Sequence, residues 1–363
     1  MPSGSKRVSA AASIPGKRDS SSGRAGRIRS TGSTVASGAM RAVVCHELGP
    51  PSLLRVEEQP DPEAHPGGVV VDVEAAGVNF VDALFVGGQY QIKPALPFVP
   101  GNEVAGRIAA VGQGVEDLTV GQRVLANCGL GGYASKVAVG APSVFAVPDR
   151  LSAPQAATFT QSFSTCLYAL RDRAHLAESE RVVVLGGGGG IGLAAIGVAR
   201  ALGARVLAVA SSPEKRAAAA AAGAEEVLDL EASPIKDAVR AWAGGTGADV
   251  VVDPVGGPQA EAALRALGDG GRYLVVGFAS GTIPSLPANQ VLLRNRSVLG
   301  IDWGIWAMQH PDGQRTLLED LLAMVEAGVL EPVAPITYPL EDVGRALDDL
   351  LARRAVGKLA LVP

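Results

Sequence analysis

From residue 181 onward, short aliphatic runs alternate with longer stretches in which apolar side chains recur every three or four positions. The runs 181–185, 205–210, 226–229, 249–253, 272–278 and 297–301 predict strands. Between them, 191–202, 213–222, 234–242 and 258–267 predict helices. Pro213, Pro234 and Pro258 stand at first-turn positions, where a missing N–H costs no intrahelical bond. Strands that are apolar throughout, rather than on alternate positions, belong to a parallel sheet covered on both faces. Six of them alternating with helices predict a complete doubly wound α/β fold of the Rossmann kind.

The pattern between residues 40 and 160 is different. Short strands (40–45, 69–74, 103–111 and 122–126) are set off by glycines at 101, 106, 112, 114 and 121. That spacing predicts a compact, barrel-like β domain. Beyond residue 302 come a helix over 315–327, a strand near Ile336, a helix over 340–353 and a strand over 359–362. These are too few for a core of their own and are expected to complete the N-terminal domain. The expected organisation is an extension over 1–39, a barrel domain over 40–162 and 303–363, and a dinucleotide-binding domain over 163–302.

The strongest chemical signal lies where the first parallel strand meets its helix. Five successive glycines there contain Gly187-x-Gly189-x-x-Gly192. In such a loop Gly187 is expected to make the tight turn, Gly189 to let the backbone approach a pyrophosphate, and Gly192 to let helix pack on strand. The helix start, at Gly190 and Ile191, then offers free N–H groups and the positive end of the helix dipole to phosphate oxygens. The strand before, the helix after and five further strands make this a dinucleotide site rather than a flexible glycine turn. The second strand ends without the acid that holds an NAD ribose. Ser211, Lys215 and Arg216 follow instead, and these donors suit a 2′-phosphate, which predicts NADPH.

Composition narrows the remaining choices. Of 363 residues, 47% are hydrophobic and 19% charged, as in a folded globular protein. Net charge is −4, although Lys6, Arg7, Lys17, Arg18, Arg24, Arg27 and Arg29 face only Asp19 in the first 39 residues. The body is therefore acidic and has no basic stripe, which argues against nucleic-acid binding. Ser, Gly, Ala and Arg dominate residues 1–39, which predicts a disordered tail without a secretory signal. Cys45, Cys128 and Cys166 are far apart and odd in number, which suits a reducing, cytoplasmic setting. The uncharged run 182–199 approaches membrane-spanning length, but its five glycines fit a strand, turn and helix better than a bilayer helix.

Several further runs carry a resemblance. Gly77-Val-Asn-Phe-Val-Asp82, Gly87-Gly-Gln-Tyr90 and Pro100-Gly-Asn-Glu-Val-Ala-Gly106 resemble the medium-chain dehydrogenase/reductase family. Asp253-Pro-Val-Gly-Gly257, Val276-Gly-Phe-Ala-Ser280, Asn295-Arg-Ser-Val-Leu-Gly300 and Gly357-Lys358 extend the likeness from Met40 to the last residue. The branch most similar is that of zinc-independent NADPH:quinone oxidoreductases, the zeta-crystallin-like group. The resemblance implies a GroES-like barrel catalytic domain beside the Rossmann sheet. Alcohol dehydrogenases of this family hold zinc with Cys and His where this chain has Asn79 and Asn102, and carboxamides are poor ligands for zinc. No metal is therefore expected.

The activity so implied is hydride delivery from NADPH to a quinone or an α,β-unsaturated carbonyl. Tyr90 is expected as proton donor, with Asn79 and Asp82 orienting nicotinamide or substrate. Gly277, Phe278 and Ala279 are expected near the nicotinamide, and Asn295 and Lys358 where the family closes over the cofactor. The alternatives are an enoyl-thioester reductase and a cofactor-binding protein with little turnover. A homodimer through strand 297–301 is also expected.

Overall fold

The computed structural model describes residues 38–229 and 234–363. The tail expected over 1–39 therefore lies outside the described residues, apart from its last two positions. The chain opens with β1 (Ala39–Val44) and β2 (Arg55–Pro60), an antiparallel pair. There follow the long strand β3 (Gly68–Val78), the short helix α1 (Phe80–Val86), and strands β4 (Glu103–Val111), β5 (Arg123–Asn127), β6 (Lys136–Gly140) and β7 (Val144–Ala146). Helices α2 (Ala153–Ala157) and α3 (Thr160–Leu167), the latter running into a π-helical turn over Tyr168–Arg173, lead to the second half.

That half comprises β8 (Arg181–Leu185), α4 (Gly190–Ala201), β9 (Arg205–Val209), α5 (Pro213–Ala221), β10 (Glu226–Leu228) and α6 (Ile235–Trp242). It continues through β11 (Ala248–Asp253), α7 (Gln259–Ala266), β12 (Leu267–Val275), α8 (Ala288–Leu292) and β13 (Ser297–Gly300). All its strands are parallel, in the order β10-β9-β8-β11-β12-β13. The order reverses beside β8, and ligands bind beyond the carboxyl ends of strands at such a switch point. Val182, Val183 and Val184 are fully buried, as the unbroken apolar runs require of a sheet covered on both faces. The uncharged run 182–199 folds as β8, the glycine turn and most of α4. Among the described residues no helix is long and apolar enough to cross a membrane.

The end of the chain adds α9 (Trp303–Gln309), α10 (Pro311–Glu326), β14 (Ile336–Pro339), α11 (Val343–Leu351) and β15 (Leu359–Val362). β15 pairs antiparallel with β3, giving the order β14-β15-β3-β4-β5-β7, with β6 also on β3. α10 touches both halves: its Arg315 donates to Pro142 O at 3.0 Å, just ahead of β7. α10 buries Leu317, Leu318, Leu321 and Leu322 in the same cluster as Phe163 of α3 and Ile196 of α4. Only from β14 does the chain rejoin the first sheet. Residues 303–309, whose course sequence alone leaves open, form a helix started by Asp302, whose carboxylate accepts the Ile305 N–H at 3.1 Å.

Candidate active site and cofactor cleft

A cleft of about 1210 Å³ runs from the glycine loop to the start of α3. At the loop, the turn is made one residue earlier than the motif suggests. Gly186 carries φ +62°, a value that favours glycine. Gly187 packs instead: its N–H donates to Val209 O at 2.8 Å, and a Cβ there would lie 2.8 Å from that of Ala208. Gly189 is the N-cap of α4, and a Cβ on it would meet only Gly186 O, at 3.4 Å. Gly190, Ile191 and Gly192 line the cleft with first-turn N–H groups that have no intrahelical acceptor. A Cβ on Gly192 would fall 2.1 Å from Gly186 O, so any side chain there opens the loop. Bare amides at a helix start fit a pyrophosphate.

At the end of β9, Ser212 caps α5, its hydroxyl accepting the Lys215 N–H at 3.3 Å. That leaves the exposed Ser211 along the cleft. Lys215 also lines the cleft and donates from Nζ to Arg353 O at 2.6 Å. Burial, and then the nearby Arg353 guanidinium, hold the Lys215 ammonium below its ordinary pKa. Arg353, in the left-handed region at φ +57°, lines the cleft beside them. It was not expected from sequence, where it reads as one more basic residue at the end of a helix. The cation expected at Arg216 is turned away. Its guanidinium pairs with Asp229 at 3.0 Å and donates to Ser211 O at 3.3 Å, and it does not line the cleft. Two cationic side chains, Lys215 and Arg353, thus line the cleft together beyond the end of β9.

Gly277, Phe278 and Ala279 follow β12 and line the cleft, the Ala279 N–H donating to Pro254 O at 3.1 Å. Asn295 does not join them. It is exposed, with φ +52°, and stands two residues before β13 begins. In a parallel sheet that is the end opposite the cleft, so Asn295 shapes the turn between α8 and β13.

The far end of the cleft is a polar network drawn from four segments. Asn79, ahead of α1, donates from Nδ2 to Asn102 Oδ1 at 3.1 Å and to Glu103 Oε1 at 2.8 Å. Asn102 donates to Gln161 Oε1 at 2.8 Å, and the Gln161 N–H donates to Glu103 Oε2 at 3.0 Å. Lys358, just before β15, donates to Asn79 Oδ1 and lies 3.3 Å from Glu103 Oε1. Glu103 is almost wholly buried, and Gly77 makes the space: a Cβ there would lie 2.7 Å from Glu103 Oε1. Gln161 carried no sequence signal that separated it from ordinary polar residues, and Glu103, although inside the run Pro100–Gly106, was not singled out as a site residue. The donors assembled here are carboxamides, one carboxylate and one ammonium, with neither thiolate nor imidazole. That set does not fit zinc. Among the described residues no cluster of three or more His, Cys, Asp or Glu could hold a metal ion.

Asp82 stands behind this network, outside the cleft. Its Oδ2 accepts the Asn79 N–H at 2.8 Å and the Tyr133 hydroxyl at 2.8 Å. Burial, opposed by those two hydrogen bonds, pushes its carboxyl up to about 7. The same burial, with Asp82 alongside, drives the Tyr133 phenol well above its usual value. Asp82 therefore fixes the Asn79 backbone and is not positioned to touch a ligand. Tyr90 does line the cleft, its ring tilted against Phe85 at 4.6 Å. Among the described residues its hydroxyl has no hydrogen-bond partner.

A β-barrel lobe and a six-stranded parallel sheet, with a phosphate-binding glycine loop and a cleft between them, define a dinucleotide-dependent oxidoreductase of two-lobed build. Family models agree: residues 65–149 match "Alcohol dehydrogenase GroES-like domain" and 190–318 match "Zinc-binding dehydrogenase". A quinone oxidoreductase-like protein 2 homolog of Nematostella vectensis is 36% identical over 325 residues, covering 88% of each chain. The crystal structure of a probable oxidoreductase from Mycobacterium abscessus is 36% identical, with TM-score 0.81 over 90% of this chain and all of that one. The Escherichia coli quinone oxidoreductase, crystallised in complex with NADPH, is 27% identical, with TM-score 0.80 over 89% of this chain and 100% of its own. The chain belongs to the medium-chain dehydrogenase/reductase family, among relatives named as quinone oxidoreductases.

Proposed function

We propose that this protein is an NADPH-dependent reductase that passes hydride to a quinone or to the β-carbon of an α,β-unsaturated carbonyl, without zinc. The observation that carries the reading is the meeting of Lys215 and Arg353 at the end of β9, at one end of a cleft whose other end has the carboxamides of Asn79 and Asn102 in place of a Cys and a His. Bound NADPH supplies the hydride; the residues supply grip and orientation. Gly190, Ile191 and Gly192 would hold the pyrophosphate, and Ser211, Lys215 and Arg353 the 2′-phosphate. Gly277, Phe278 and Ala279 would form the wall along the nicotinamide. Asn79 has both amide hydrogens and its carbonyl engaged within the network, so its part is to position neighbours rather than to donate to substrate. Tyr90 offers a ring face to the acceptor.

Steady-state oxidation of NADPH and of NADH, each with 1,4-benzoquinone, 9,10-phenanthrenequinone and crotonyl-CoA after exhaustive chelation, tests this. NADPH-selective turnover with the quinones that survives chelation is expected. Activity that requires restored zinc, or a preference for NADH, would overturn it. The exposed edge strand β13, with Val298 open to solvent, supports pairing of two copies across a two-fold axis. Light scattering at micromolar concentration should then report a dimer.

A further inference from the structure

We infer that Lys358 supplies the fixed positive charge that stabilises the acceptor's oxygen as hydride arrives, a part distinct from gripping the cofactor. The inference rests on the proposed reductase reading. Where a metal-dependent site would place a cation, this cleft places an ammonium among Asn79, Asn102, Glu103 and Gln161. The Lys358 side chain is 11% exposed, and that of Glu103, against it, 2%. An ammonium has three N–H donors. Two have protein acceptors, Asn79 Oδ1 and Glu103 Oε1, and the side chain lines the cleft, so one donor remains for a ligand.

The head group is also placed by backbone on both sides. The Gly357 N–H donates to Gly188 O at 2.8 Å, which ties Lys358 to the glycine loop. A Cβ on Gly190 would lie 2.5 Å from Lys358 Cδ, so the stem runs past the pyrophosphate seat. Its head therefore reaches the barrel network at the same depth as the carboxamides. The Tyr90 hydroxyl, which also lines the cleft, has no partner among the described residues to orient it. A charge already fixed by two acceptors needs little reorganisation when negative charge develops beside it. In the step, the acceptor gains two electrons with the hydride. The displaced electron pair collects on its carbonyl oxygen beside Lys358, and that oxygen then takes a proton from water.

The test is kinetic and includes binding. Lys358→Ala should lower kcat with 1,4-benzoquinone by about 100-fold, the scale of losing one oxyanion donor. NADPH affinity, read by fluorescence titration, should stay within about threefold, because uniform binding is not what is lost. Lys358→Arg should recover part of the rate. Ethylammonium, but not sodium chloride at equal ionic strength, should rescue Lys358→Ala. The double variant Lys358→Met/Glu103→Gln removes both charges of the pair and should remain slow although folded. An unchanged kcat in Lys358→Ala, a loss confined to NADPH affinity, or a double variant of normal rate would each overturn the inference. A wild-type protein that reduces no acceptor would remove the underlying reading first, before any variant is made.

Discussion

The two ends of the cleft are built on opposite plans. At the end proposed for the cofactor the cleft is formed largely by contiguous backbone: a glycine turn and helix start present bare amides, with Lys215 and Arg353 open to the cleft. At the other end, buried and half-buried side chains from four separated segments hold one another in place and leave one Lys358 donor for a ligand. The first plan tolerates water and depends on shape. The second depends on electrostatic completeness, because a buried charge or amide left without its partner is costly.

Substitutions at the two ends should therefore fail differently. The largest effect is expected from Gly192→Val, whose side chain would drive Gly186 out of the loop. NADPH binding should become undetectable in a fluorescence titration, while the barrel's contribution to circular dichroism persists. If binding survives, the shape argument for the cofactor end is wrong. Next, Glu103→Ala leaves the Lys358 ammonium without its carboxylate. Urea unfolding should show a loss of about 3 kcal/mol, the lower part of the range for breaking a buried pair. A neutral outcome would mean that the network is looser than its geometry.

Lys215→Ala and Arg353→Ala should each weaken NADPH about tenfold, as for loss of one charge-assisted hydrogen bond, and leave NADH unchanged. Arg216→Ala should not affect the NADPH-to-NADH ratio, since its guanidinium serves Asp229. Equal effects at 215, 216 and 353 would return the phosphate site to the arrangement expected from sequence.

Asp82 gives a pH signature. Its carboxyl rises on folding from 3.8 to about 7. The folded state thus binds more protons than the unfolded one between those values. The stabilisation is full below about 4 and is lost as pH rises through 7. Asp82→Asn, which retains an acceptor for Asn79 and Tyr133, should flatten the fall in Tm between pH 5 and 8. An unaltered slope would place the titrating group elsewhere. The smallest effect is expected from Tyr90→Phe. With charge stabilisation assigned to Lys358, turnover should fall less than about tenfold, below the usual range for removing a general acid. A larger loss would transfer the role to Tyr90.

The same contrast explains how much could be read in advance. The parallel-sheet strands were legible because burial on both faces imposes unbroken aliphatic runs; β8 matches its predicted span residue for residue, and the glycine motif sits where it was expected. The strands β2, β6 and β7 and the helix α1 were not given. They are short, three to seven residues each, too brief for a hydrophobic period to separate strand or helix from loop. Asn295 was misplaced because likeness of sequence fixes order along the chain, not which end of a sheet a turn occupies.

Sequence by itself determined the class of fold, the glycine loop that opens α4 and the lack of thiolate or imidazole at Asn79 and Asn102. Those properties live in neighbouring residues, and local backbone geometry converts them directly into structure. Only the tertiary structure decided that Arg353 rather than Arg216 joins Lys215, that Asp82 supports from behind, and that Lys358 enters among Asn79, Asn102, Glu103 and Gln161. Side chains more than two hundred positions apart meet there because β15 closes on β3, and no local pattern records a contact made by that closure.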